Sequence, residues 1–217
     1  MAKPGLNLSV LRKYLPLLFI LCIGCDKKPD FSKEALAAEL DSIMIADQQY
    51  RSQMQFVLNK HGGDSPEMIG LWKKQVEIDH TNLERVIEII DMVDGYPGKS
   101  VVGYSSSSVA FYVLQHAPDS VQSQYYELII KAAEKNELDK RLAAMYRDRY
   151  LMQRGEPQIY GTQLQFSTKT DSLTGEVTRK SIVWPIADTV NIDSMRLWNG
   201  LGPLEDYLNR FGISRWE

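Results

Sequence analysis

Cysteine is scarce in this 217-residue sequence, which contains only Cys22 and Cys25. Two cysteines cannot form a disulfide framework or a cysteine-rich zinc module. Basic residues are not in excess either, because 25 lysines and arginines stand against 28 acidic residues, and no basic stripe typical of nucleic-acid binding is present. The apolar run at residues 14–23 is too short for a membrane-spanning helix, which needs about 20 residues. The charge balance argues against nucleic-acid binding, and the composition excludes a multi-span membrane protein, since a hydrophobic fraction of 44% is typical of a globular domain.

The first 25 residues predict export and lipid attachment. Basic residues precede the apolar run, and the sequence Leu-Cys-Ile-Gly-Cys closes it at residues 21–25. This order of charged, apolar and small residues is typical of a secretory signal. Residues 21–25 also resemble a bacterial lipobox, in which the last cysteine becomes the lipidated first residue, although Cys22 stands where leucine is usual. The alternative is an ordinary signal peptide in which Cys25 is incidental.

Lipidation of Cys25 would leave the mature chain without a free thiol, which agrees with export to an oxidising compartment. We therefore expect a signal peptide at residues 1–24, a lipidated tether at residues 25–30 and one domain at residues 31–217. The lipid would hold this domain on a bacterial membrane in the cell envelope, facing the periplasm or the exterior.

The domain is expected to have a mainly α (α+β) fold, a multi-helix array with a C-terminal β-hairpin and short terminal helices. Apolar residues recur at steps of three and four through residues 31–155, which is the helical period. Alternating patterns at residues 158–166 and 177–184 predict the hairpin, within a region at residues 156–190. Short helices are expected in residues 191–217. The predicted helices cover residues 31–60, 65–93, 105–117 and 137–154. Asp119 or Ser120 is expected to cap a further helix, and short helices are expected to open at Asp193 or Ser194 and at Pro203.

Two long helices each place a carboxylate where the apolar period requires a hydrophobic residue. In the first, Asp47 fills a position of the apolar series, and Arg51 follows one turn later on the same side. In the second, Asp79 interrupts the stripe, and Asn82 lies three residues on. The predicted apolar stripe of the second helix consists of Trp72, Val76, Leu83, Val86, Ile90 and Val93.

Arg149 and His116 extend this pattern, because each lies in the apolar stripe of its own helix. A buried lone carboxylate costs several kcal/mol unless it is paired, protonated or in a wet cavity. One interpretation is therefore an ion-pair network that fixes helix register, and another is a polar pocket between the helices. A solvent-exposed face is a further interpretation for Asp47. His116 is either a hydrogen-bonded core histidine or a general base near neutral pH.

Motifs of cofactor-dependent and metal-dependent enzymes are absent from the sequence. It contains no Gly-rich phosphate loop after a predicted strand, no Gly-x-Ser-x-Gly and no His-Glu-x-x-His. Two aspartates and one histidine are compatible with a metal site, but their spacing does not require one. We expect no cofactor, no metal and no nucleic-acid partner.

Several short motifs occur in one order along residues 41–207. They include Asp-Gln-x-x-Arg from residue 47, Asp-x-x-Asn from residue 79, Gln-His-Ala at residues 115–117 and Gln-x-Tyr-Gly-Thr-Gln at residues 158–163. The set resembles a bacterial family of unknown function that is marked by the last two motifs. The resemblance supports the location of a site and implies no reaction. The candidate ligand-binding residues are then Gln48, Arg51, Asn82, Gln115, Arg149, Gln158, Tyr160, Thr162, Gln163 and Arg196.

Residues 158–163 are a candidate lid or wall of the pocket. Gly161 allows close approach of a backbone, and the neighbouring side chains offer both donors and acceptors. The alternative is that Gly161 is a strand bulge and Tyr160 is a core aromatic.

The leading functional hypothesis is a membrane-anchored lipoprotein that binds a small molecule or an envelope protein through a polar pocket. The alternative is an envelope hydrolase or lyase in which Asp47, Asp79 and His116 act as acid–base groups while arginines hold an anion. A purely structural network of the same residues is the third hypothesis.

Overall fold

The computed structural model describes residues 31–170 and 177–213, and within these ranges the chain forms eight helices and one β-hairpin. The expectation of a mainly α fold is confirmed. The predicted signal peptide, the tether with Cys25 and the hairpin turn lie outside the described residues. None of the described helices is long and apolar enough to cross a membrane. The elements are α1 (Lys33–His61), α2 (Pro66–Val93), α3 (Lys99–Ser106), α4 (Val109–His116), α5 (Asp119–Glu134), α6 (Lys140–Gln153), β1 (Leu164–Thr170), β2 (Val177–Val183), α7 (Ile192–Trp198) and α8 (Leu204–Asn209).

The two longest helices, α1 and α2, form an antiparallel pair joined by a short turn. Ser32 caps α1 and Ser65 caps α2, each by accepting a hydrogen bond from the backbone N–H three residues on, at 3.3 Å and 3.2 Å. Pro66 is the first residue of α2, where its missing N–H costs nothing. Arg85 of α2 pairs with Glu39 of α1, with Nε 2.5 Å from Oε1. The predicted start of α2 is therefore confirmed, and an ion pair holds the two helices together.

The buried face of α2 differs from the predicted stripe. Trp72 and Val76 are 48% and 60% exposed, so the first half of that stripe faces outwards. The amides Gln75 and Asn82 occupy the contact face instead and donate hydrogen bonds to the backbone of α1. Hydropathy alone assigned the outer apolar residues to the core, which is why this part of the prediction was wrong. The buried residues of α2 are Met68, Gln75, Asn82, Val86, Ile89 and Ile90.

The central helix of the array is α4, which packs against α1, α2 and α5. Phe111 and Leu114 of this helix are fully buried in the main core. The predicted helix at residues 105–117 begins too early, because Ser107 ends the preceding helix and its hydroxyl donates to the Tyr104 carbonyl at 2.8 Å. Serine competes with helical hydrogen bonding in this way. The short α4 then ends at His116, beside the α1–α2 pair.

Helix boundaries also differ slightly at α5 and α6. Pro118 occupies the N-cap position of α5, so Asp119 is the first helical residue rather than the cap. Asp139 caps α6 by accepting from the Arg141 N–H at 2.9 Å, and the helix therefore begins three residues later than the sequence predicts.

The β-hairpin pairs β1 with β2 antiparallel, with Leu164 opposite Val183 and Thr170 opposite Val177. Residues 158–163, predicted as the first half of β1, form a loop instead, which makes one isolated bridge to the segment after β2. Beyond the hairpin, α7 and α8 close a second, small core. Its buried residues are Ile192, Leu204, Leu208 and Ile213.

Candidate functional site

A polar cluster lies where α1, α2 and the C-terminal end of α4 meet. Asp47 of α1 is 1% exposed, which confirms its predicted place in the buried seam. Its Oδ1 lies 3.4 Å from Nδ1 of His116, and its Oδ2 accepts a hydrogen bond from Gln48 Nε2 at 2.6 Å. Arg51, one turn along α1, places Nε 3.4 Å from Oδ2. The carboxylate therefore has an imidazole on one side and a guanidinium on the other.

The pKa of Asp47 reflects these neighbours. Burial raises this pKa, because a low-dielectric surrounding disfavours the charged form. The hydrogen bond and charge of His116, the charge of Arg51 and the Gln48 amide together outweigh burial and hold the pKa below its usual range. Asp47 is therefore a charged group at neutral pH despite its burial.

Arg51 and Gln75 connect Asp47 to Asp79 of α2. Arg51 Nη2 donates to Asp79 Oδ1 at 2.5 Å, and Gln75 Nε2 donates to the same oxygen at 2.8 Å. Gln75 Nε2 also lies 3.1 Å from the Asp47 carbonyl oxygen, so it bridges the two helices. Asn82 donates a hydrogen bond at 3.4 Å to the carbonyl oxygen of Ile43, which lies one helical turn before Asp47 on α1. The predicted residues Asp47, Gln48, Arg51, Asp79, Asn82 and His116 thus lie in one region, with Gln75 added.

Gln75 is the residue of this cluster that the sequence analysis missed. It is fully buried and its side chain contacts both aspartates of the cluster. A signal was present in the sequence, since Met68, Gln75, Asn82 and Ile89 repeat at intervals of seven and all four are buried. An apolar-only search for the helical period passes over such amides.

A groove of about 490 Å³ opens beside the cluster, between α2 and the end of α4. Its walls are mainly apolar, and Asp79, His80 and His116 supply its polar groups. Among the described residues, neither Oδ2 of Asp79 nor Nε2 of His116 has a hydrogen-bond partner. The groove therefore offers one carboxylate oxygen and one imidazole nitrogen beside an apolar surface. The apolar lining residues are Val76, Leu83, Ala117 and Pro118.

His80 differs from His116 although both line the groove. The His80 side chain is 71% exposed and lies 3.5 Å from Glu84 on the same helix. The His116 side chain is 22% exposed and faces the buried Asp47. His61, at the end of α1, lies 3.8 Å from Glu67 and is outside the groove. Of the three histidines, His116 is the one that a buried carboxylate orients.

A second buried carboxylate, Asp148 of α6, organises the loop at residues 158–163. Its two oxygens accept hydrogen bonds from the backbone N–H groups of Ile159, Tyr160 and Thr162 and from the Thr162 hydroxyl, at 2.8–3.2 Å. Burial raises the pKa of Asp148, although these donors act in the opposite direction. Sequence analysis gave the seam position to its neighbour Arg149, whereas Asp148 is the fully buried residue.

The predicted ligand-binding side chains of this loop bond to the protein itself. Gln158 donates to the carbonyl oxygens of Gln163 and Trp184, at 3.0 Å and 2.7 Å, and accepts from the Gln163 N–H at 2.8 Å. Arg196 is 2% exposed and donates to the Tyr160 and Gly202 carbonyl oxygens. Arg196 thus holds the loop against α7, and Asp148 holds it against α6. None of the loop residues lines the groove, so the predicted lid over that groove is not formed.

Arg149 and Gln115 lie apart from both sets of contacts. Burial lowers the pKa of Arg149, while the nearby Asp119 opposes that change. Its Nε and the Gln115 Oε1 are buried without a hydrogen-bond partner among the described residues. Neither residue lines the groove.

The described ranges contain no group of three or more histidine, cysteine, aspartate or glutamate side chains arranged to hold a metal ion.

The fold and site define a mainly α-helical domain with a buried polar cluster that reaches an open groove. The chain belongs to a family of unknown function, DUF6624, whose family model matches residues 29–213. No curated protein and no solved structure matches the chain. Membership of a family of unknown function, inferred above from the motifs, is thereby confirmed.

Proposed function

We propose that this protein is a lipid-anchored protein of the bacterial cell envelope that binds an amphiphilic ligand in the groove between α2 and α4. The observation that carries the proposal is the pair of open polar atoms, Asp79 Oδ2 and His116 Nε2, beside apolar walls. Binding sites commonly combine an apolar lining with a few placed polar groups.

The charges of the cluster favour a hydrogen-bond donor or a cation as the polar part of this ligand. Asp47 and Asp79 supply two negative charges, and Arg51 supplies one positive charge. These three side chains together carry a net charge of −1. A protonated amine attached to an apolar body matches both the charge and the walls of the groove.

Isothermal titration calorimetry of the full chain with decylamine and with decanoate tests this proposal. The two probes share a chain length and differ in the sign of their head group. We expect decylamine to bind at least about ten times more tightly than decanoate, and Asp79→Asn to weaken decylamine binding by a similar factor. Asp91→Asn makes the same charge change on an exposed residue of α2 outside the groove and should leave the affinity unchanged.

Equal affinities for the two probes would contradict the proposed ligand chemistry. An equal effect of Asp79→Asn and Asp91→Asn would show that the overall charge, rather than the groove, governs binding.

An acid–base enzyme is the second candidate function, and the Asp47–His116 contact favours it. A carboxylate at Nδ1 orients the imidazole and leaves Nε2 free to take a proton from a substrate. Hydrolysis of 4-nitrophenyl acetate by the full chain is the test. On this account His116→Gln lowers the rate by roughly 10²-fold or more, while His80→Gln, the exposed histidine of the same groove, leaves it unchanged. Equal rates for the two variants would remove the enzyme hypothesis.

The membrane anchor belongs to the same proposal and rests on the sequence of residues 1–25. Lipid attached to Cys25 would place the groove at a membrane, where amphiphilic molecules are concentrated. A binding domain in this position has direct access to ligands with an apolar body.

A further inference from the structure

A second cleft, of about 350 Å³, lies between α5, α6 and the end of α7. Its floor consists of the small side chains Ala133, Ala143 and Ala144, all of which are buried. Because alanine fills little space, the two helices leave an open depression here. This cleft shares no lining residue with the groove beside His116.

One wall of the cleft is an exposed tryptophan. Trp198, the last residue of α7, is 81% exposed and lines the cleft. An indole ring contributes a large apolar face, which is normally buried against protein or ligand. Tyr160, whose backbone N–H donates to Asp148, also lines the cleft, although the residue is only 8% exposed. The cleft therefore presents aromatic surface to a ligand.

Two cations of α6 also line the cleft. Lys140 and Arg147 are seven residues apart, so they lie on the same side of the helix. Within residues 31–170 and 177–213, neither forms an ion pair at 4.0 Å or less. Glu134 of α5 also lines the cleft, which leaves a net charge of +1. The Asn199 amide nitrogen donates to the Met195 carbonyl oxygen at 2.8 Å, and its side-chain oxygen accepts no hydrogen bond from the residues that the structure describes.

From this arrangement we infer that the cleft binds an acidic saccharide. A sugar ring has an apolar C–H face, which stacks on an indole, and a rim of hydroxyl groups, which bond to carboxylate and amide oxygens. A carboxylate on the sugar pairs with the guanidinium of Arg147, whose planar donors match its two oxygens. A neutral sugar would leave the cations of the cleft unpaired, and a simple anion would leave Trp198 uncovered.

Calorimetric titration of the full chain with trigalacturonic acid and with maltotriose tests the inference. Both trisaccharides are α-1,4-linked, and they differ in the carboxylates, which only the first carries, and in the configuration at C4. We expect trigalacturonic acid to bind at least about ten times more tightly. Arg147→Gln should remove most of this preference, while Arg141→Gln, an exposed arginine on α6 outside the cleft, should retain it.

The aromatic wall has its own matched pair of variants. Trp198→Ala should weaken binding of trigalacturonic acid by about ten-fold or more, whereas Leu197→Ala, which removes a 77% exposed neighbour outside the cleft, should not. These side chains are exposed, so the variants are expected to keep the fold, which circular dichroism checks. The inference is overturned if maltotriose binds equally well, if neither sugar binds, or if the members of a variant pair behave alike.

Discussion

Asp47 keeps its charge at a position that the helical period assigns to a hydrophobic residue. Removing a carboxylate from water costs several kcal/mol unless partners compensate. Here Gln48 donates to it at 2.6 Å, and His116 and Arg51 each approach it at 3.4 Å. Replacing the carboxylate with an amide would direct an N–H group at one of these donors. At this scale Asp47 both stabilises the α1–α4 contact and orients His116.

Asp47→Asn is therefore expected to lower the free energy of unfolding by about 1.5–3 kcal/mol near neutral pH, the range for a hydrogen bond to a charged group. The loss of stability is smaller than for a buried charge left without any partner, because Arg51 still forms its ion pair with Asp79. Urea unfolding followed by circular dichroism measures the difference. Asp64→Asn, in the exposed turn before α2, is the control and should change the stability little.

The same pair of proteins should show a defined pH dependence. The folded-state pKa of Asp47 is lowered, so its stabilising contribution is complete above the unfolded value of about 3.9 and is lost as the pH falls through the lower folded value. The gap between wild type and Asp47→Asn should therefore narrow below about pH 4. Asp148, with a raised pKa, acts in the opposite direction but is present in both proteins and cancels. A gap that stayed constant or widened at acid pH would contradict the assignment.

Between elements, the loop at residues 158–163 is held by hydrogen bonds from three helices, α6, α7 and α8. Asp148 fixes its backbone from α6, and Arg196 fixes it from α7. Tyr207 of α8 donates to the Thr162 carbonyl oxygen at 2.8 Å. A segment whose polar groups are satisfied in this way joins the helical array to the small second core.

At Gly161 of this loop, both the backbone conformation and the neighbouring side chains disfavour a residue with a side chain. Its φ of +67° disfavours any residue with a Cβ, and a methyl group there would lie 2.8 Å from Leu204 Cδ1. Gly161→Ala should therefore cost roughly 2–5 kcal/mol, the sum of left-handed backbone strain and overpacking. Gly155→Ala has a similar φ of +72° with nothing within 4 Å, so it should cost only about 1–2 kcal/mol. Equal losses in urea unfolding would show that the close packing at Gly161 is unimportant.

Sequence predicted elements better than it predicted faces. The bounds of α1 and α2 follow from local signals, the Ser–Pro start and the helical period, and they hold. The prediction of the buried face of α2 was wrong, because Trp72 and Val76 are apolar but exposed. Val76 lines the groove instead. Residues 158–163 alternate like a strand, but Asp148, distant in sequence, takes their N–H groups. Such long-range hydrogen bonds leave no local pattern.

For the whole molecule, the proposed position is a membrane surface reached through Cys25. Cys25→Ser should move the protein from the membrane fraction to the soluble fraction of the producing bacterium, because the acyl chains that anchor it would be absent. Cys22→Leu restores the usual residue of a lipobox and should leave the protein membrane-bound. Fractionation followed by immunoblotting measures both. Membrane association that survives Cys25→Ser would contradict the anchor.

The sequence pointed to the charged side chains of the cluster, but not to Gln75 or to the contacts that connect them. Asp47, Asp79 and His116 were found from the interruption of apolar stripes, and Asp47 and His116 are in contact. The helical period of the sequence cannot show that Arg51 and Gln75 connect Asp79 to Asp47. These contacts depend on how α1 and α2 are aligned along each other. The account of function depends on one further property, an imidazole held by Asp47 with its second nitrogen facing the groove.

That property is measured most directly by long-range ¹H–¹⁵N NMR of the histidine rings in the full chain. His116, identified by the loss of its signals in His116→Gln, is predicted to hold its proton on Nδ1 when neutral, since Asp47 accepts there. Its Nε2 should then be unprotonated, and the Nε2 resonance should shift when decylamine is added. A proton on Nε2, or an Nε2 resonance unmoved by decylamine, would contradict the proposed binding groove.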